Sequence, residues 1–64
     1  MINWKRIKAG EYVSEDGRFH IAKSLTRLYN PWELHDSLKG GTHRDPTLID
    51  CKWRADRITG REYE

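Results

Sequence analysis

Sixty-four residues with a single cysteine allow one domain and no intrachain disulfide, so stability must come from a small core, from self-association, or from both. Twelve Lys and Arg against ten Asp and Glu leave a net charge of +2, too even a balance to argue for nucleic acid by charge alone, while three Trp, three Tyr and one Phe argue against disorder. One unpaired thiol fits a reducing compartment and "MINWKRIKAG" has no apolar run of signal-peptide or membrane-span length, so a soluble, cytoplasmic protein without a membrane partner is expected.

In chain order, "WKRIKAGEYVS" reads as a first strand with a bulge or break at Gly10. Ser14 to Gly17 form a turn, because Asp16-Gly17 between extended runs is a hairpin signal. "RFHIAK" alternates, with Phe19 and Ile21 on one side and Arg18, His20 and Ala22 on the other. "SLTRLYNP" either prolongs this strand or forms a wide loop ending in the Asn30-Pro31 turn. "WELHD" makes a third strand, with Trp32 and Leu34 on one side. "SLKGGTHRD" reads as a loop broken at Gly40-Gly41. "DPTLIDCKWRADRITG" reads as a helix. Thr47 and Asp50 resemble a capping box and Asp45-Pro46 offers a competing start. Leu48, Cys51, Ala55 and Ile58 form its apolar stripe, Asp50/Arg54 and Trp53/Arg57 are four-residue neighbours on other faces, and Gly60 is its stop. The expected fold is α+β: a three-stranded antiparallel sheet packed by one C-terminal α-helix over residues 1–60, with 61–64 as a tail. The expected core is Ile7, Tyr12, Phe19, Ile21, Trp32, Leu34, Leu48, Cys51, Ala55 and Ile58, with Trp4 capping one edge.

The string Trp4, Gly10-x-Tyr12, Gly17-x-Phe19-x-Ile21, Trp32-x-Leu34, Thr47-Leu48 and Cys51-Lys52 resembles small uncharacterised proteins of bacteriophages. Cys51 stands where those proteins usually have Ala. The βββα order also looks like the arm-binding domain of phage tyrosine integrases and the plant APETALA-type domain, where the bare sheet face enters the DNA major groove. The resemblance implies a phage-type accessory protein.

No carboxylates are paired in a pattern that demands acid–base work, and a domain this small has little room for a substrate cleft. Cys51 lies on the helix stripe, which reads as a small buried apolar side chain more readily than as a nucleophile served by His20 or His35. The spacings of His20, His35, His43 and Cys51 match no zinc site. No catalytic residue, metal, cofactor or small-molecule substrate is expected. Two binding readings remain. Ile49, Trp53, Leu25, Leu28 and Tyr29 are left over once the core is filled, and Trp53, Ile49, Arg57 one turn on, Leu28 and Tyr29 suit contact with a second copy or with a host protein. Arg18, His20, Arg6 and Lys8 suit DNA bound on the sheet, where Glu11 and Glu33 oppose it.

Overall fold

The computed structural model describes residues 2–62. Six elements follow in order: β1 (Trp4–Lys8), β2 (Glu11–Ser14), β3 (Phe19–Lys23), β4 (Trp32–Asp36), β5 (Gly41–Asp45) and α1 (Leu48–Glu62). The strands form one antiparallel meander in the order β1-β2-β3-β4-β5, and the C-terminal helix packs on it. The class is α+β as expected, but the sheet has five strands, not three.

Both extra strands have local causes. The expected first strand is a hairpin. Gly10 takes φ +77°, in the left-handed region, and the chain reverses at Ala9-Gly10 instead of bulging there. The bulge sits earlier, where Arg6 pairs with Tyr12 and Lys8 with Glu11, leaving Ile7 as the extra residue. Ile7 is therefore 56% exposed and does not join the core. The second extra strand is β5, read from sequence as loop. Gly40 takes φ +67° and its N–H donates to the Asp36 carbonyl at 2.7 Å, closing a turn after β4. The Asp36 carboxylate accepts the N–H groups of Leu38 and Lys39 inside that turn.

The β2–β3 turn forms where Asp16-Gly17 predicts it. Gly17 takes φ +78°, its N–H donates to the Ser14 carbonyl at 2.9 Å, and Asp16 Oδ1 accepts from both Ser14 Oγ and the Arg18 N–H. Thr47 caps the helix: its Oγ1 accepts the Asp50 N–H and its carbonyl accepts the Cys51 N–H. The helix does not stop at Gly60 but continues through Arg61 to Glu62, whose carboxylate is held by Arg18. Arg61 and Glu62, expected in the tail, are therefore helical, and Tyr63 and Glu64 lie outside the described residues.

Alternation sorts the sheet into two faces. Ile21 is opposite Tyr12 and Leu34, and Leu34 is opposite His43, so these side chains share the helix side. α1 crosses β3, β4 and β5 on that side. Its fully buried positions, Cys51 and Ala55, are small and four residues apart, which lets the helix axis approach the sheet closely over Phe19, Ile21 and Leu34. Ile2, Trp4, Tyr12, Trp32, Leu48 and Ile58 close the rim. Of the ten expected core residues only Ile7 is misplaced.

Candidate functional site

Ile49, Trp53 and Arg57 recur every four residues and form a ridge of α1 outside its buried stripe. Ile49 is 76% and Trp53 60% exposed, and the Arg57 guanidinium lies 4.8 Å from the centroid of the Trp53 ring. The stacked cation holds a large flat side chain in place while most of it stays exposed.

Leu28 and Tyr29 lie in the loop over residues 24–31 that joins β3 to β4. The Ser24 N–H donates to the Pro31 carbonyl at 2.7 Å and closes the base of this loop. Asn30 takes the left-handed φ of +50° beside it. Leu28 is 91% and Tyr29 84% exposed, and Leu25 stands out in the same way. The loop leaves the sheet at the end where the helix begins, since Trp32 at the start of β4 is opposite Asp45, just before the Thr47 cap. All five residues expected to carry a protein contact are thus displayed, on a helix ridge and on a loop.

Arg54 does not pair with Asp50. It reaches back to β5 and grips Asp45 through Nε (3.0 Å) and Nη2 (2.8 Å). That guanidinium holds the buried Asp45 carboxyl below the usual carboxylate range. Between α1 and β5 a groove of about 290 Å3 is lined by His43, Trp53, Arg54, Arg57, Ile58 and Arg61.

The opposite sheet face is bare. Across it run Lys5, Val13, His20, His35 and Thr42 in one row, and Lys8, Glu11, Ala22, Glu33 and Arg44 in the next. Of the four residues expected to meet DNA, only His20 and Lys8 stand there. Arg6 is opposite Tyr12, on the helix side. Arg18 precedes β3, so strand alternation does not apply to it. Its backbone N–H is tied to Asp16, and its guanidinium passes over the Phe19 ring at 4.7 Å to bind Asp36 and Glu62. Its side chain is only 12% exposed. Three bases of the bare face are drawn to its acids: His20 Nε2 lies 3.2 Å and Lys8 Nζ 3.6 Å from Glu11, and Arg44 Nε donates to Glu33 at 3.3 Å, whereas Lys5 pairs with no acid among the described residues.

The chain matches no family model, and no curated protein or solved structure is significantly similar to it.

Cys51 is fully buried, and burial together with the nearby Asp45 carboxylate pushes its thiol up to about 12. His20 and His35 face each other on the bare side, Thr42 bonds the His35 ring, and His43 is on the helix side. Among the described residues no three His, Cys, Asp or Glu side chains converge in a metal-binding group, and no helix is long and apolar enough to cross a membrane. The groove along α1 and the Arg18 clamp escaped the sequence because their parts are far apart in the chain: Arg18, Asp36 and Glu62 carry no local periodic signal.

Proposed function

We propose that this protein is a non-enzymatic binding module, a phage-type accessory protein that acts by occupying a surface on a second copy of itself or on a host protein. The observation that carries the reading is the balance of hidden and displayed apolar side chains. Five hydrophobic residues are fully buried, whereas seven large ones stand exposed among the described residues: Ile7, Leu25, Leu28, Tyr29, Leu38, Ile49 and Trp53. Single exposed apolar residues are ordinary, but a Trp flanked by Ile and Arg on one ridge has the composition of an interface anchor. Leu28 and Tyr29, displayed on the loop at the end of the sheet where the helix begins, are the second part of the proposed contact.

Sedimentation and pull-down with Trp53→Ala and Leu28→Ala/Tyr29→Ala test the reading. Lower apparent mass, or loss of a captured partner, with an unchanged circular dichroism spectrum supports it. A Trp53→Ala chain that unfolds assigns Trp53 to the core and overturns the site, as does a wild-type chain that is monomeric and captures nothing. The DNA alternative retains His20 and Lys8 on an uncovered face, against Glu11 and Glu33. Absence of a duplex mobility shift at low salt removes it.

A further inference from the structure

The two edges of the sheet differ. β1 carries Lys5, Arg6 and Lys8 and is broken by the bulge at Ile7, devices that keep a foreign strand from pairing. β5 has no bulge, and its two charges, Arg44 and Asp45, are already held by Glu33 and Arg54; its five residues keep an unbroken register with β4, and its outer N–H and C=O groups face no strand. Beside this edge runs the groove under α1, which continues into a second hollow of about 240 Å3 where Lys39 and Gly41 join His43, Ile58 and Arg61.

The charge along this groove is only partly compensated. Arg18, Arg44 and Arg54 each pair with a carboxylate, but Arg57 and Arg61 pair with none among the described residues. Of the acids along the groove, Asp45 is taken by Arg54 and Asp36 by Arg18. Asp50 remains, near the N-terminal end of the helix.

We propose that the β5 edge takes up an extended acidic segment of another protein as a sixth strand, with its carboxylates on Arg57 and Arg61. This rests on the protein-contact reading and names the partner's chemistry. A strand about 4.8 Å outside β5 turns alternate side chains towards the helix at a spacing of about 6.7 Å. Trp53, Arg57 and Arg61 succeed one another along α1 by about 6 Å per step, so three alternate side chains meet them in turn. Trp53 shares its hollow with Asp45, and Arg61 shares one with Gly41, so the helix runs back along β5. An antiparallel partner, the more stable pairing, then reads apolar-x-acidic-x-acidic from its N-terminus. A second copy fits poorly. Pairing β5 with β5 places both helices on one face with Arg57 and Arg61 of each copy confronting the other, and β5 offers only Gly41, His43 and the already occupied Asp45 on that side.

The test titrates the full, isotope-labelled chain with a blocked Val-Thr-Glu-Thr-Glu peptide. The expected result is amide shifts and slowed exchange at residues 41–45 with a shift of the Trp53 indole. Affinity falls roughly tenfold in the folded Arg57→Glu/Arg61→Glu variant. A Val-Thr-Lys-Thr-Lys peptide fails on the wild type and binds that variant. Methylating alternate peptide amides abolishes binding in one register and spares it in the other. No shifts at millimolar peptide, shifts unaltered in the double variant, or a dimer in which β5 is already protected overturns the proposal. If the peptide fails while Trp53→Ala still lowers apparent mass or abolishes capture, the acidic-strand proposal falls and the contact reading stands. If Trp53→Ala also changes nothing, both fall.

Discussion

Arg18 holds Asp36 in a two-pronged grip, Nε to Oδ1 and Nη2 to Oδ2, each at 3.0 Å, across the turns at one end of the sheet. The same guanidinium binds both carboxylate oxygens of Glu62 at 2.6 Å, and Lys39 adds a contact at 3.3 Å, so the end of α1 is tied to two hairpin turns. Asp36 is almost fully buried. Arg18→Ala leaves its charge to the turn amides alone and is expected to lower stability by about 2–4 kcal/mol in urea unfolding. Lys8→Ala, at an exposed pair, is expected to change it by less than about 0.5 kcal/mol. Equal effects of the two would refute the clamp.

The acid side of the stability profile follows from the same groups. Arg18 holds the Asp36 carboxyl, and Arg54 the Asp45 carboxyl, below the ordinary value of 3.8. A carboxyl whose folded pKa lies below its unfolded one contributes fully above the unfolded value and loses that contribution as pH falls through the folded one. The urea midpoint should therefore stay level down to about pH 5 and drop below about pH 4. Asp45→Asn should lower the plateau and flatten the drop; a midpoint that rises on acidification contradicts the pairing.

Two glycines should respond in opposite directions. Gly60 lies within α1 with open space around it, so Gly60→Ala should stabilise by about 0.5–1 kcal/mol. Gly10 takes φ +77°, and a Cβ there would stand 3.4 Å from Lys23 Cβ, so Gly10→Ala should destabilise by about 1–2 kcal/mol. Thermal melts of both variants check the signs.

Cys51 should be inert. A fully buried thiol pushed up to about 12 presents almost no thiolate at neutral pH. Modification by a water-soluble disulfide reagent should wait for unfolding and follow the urea transition. Rapid labelling of the native chain would show that the helix does not cover it.

Where apolar residues carry the pattern, the fold was legible. Phe19 and Ile21 against Trp32 and Leu34 mark β3 and β4, and Leu48, Cys51, Ala55 and Ile58 mark the helix face. β5 was missed because its helix-side residues are Gly41, His43 and Asp45, and Asp45 is buried only because Arg54 answers it from the next element. The β1–β2 turn was missed because Ala9-Gly10 lacks the usual Asn or Asp. Of the displayed residues, Ile49 and Trp53 follow from helix spacing, whereas Arg18 was placed on the wrong face by extending strand alternation one residue too far.

The unequal sheet borders set a limit on assembly. Endless stacking of chains side by side needs two receptive borders, one to give and one to receive. Here the kink at Ile7 and the cations Lys5, Arg6 and Lys8 around it disable one of them. Any strand accepted at β5 is consequently a terminus, and complexes built this way stay finite at one added segment per chain.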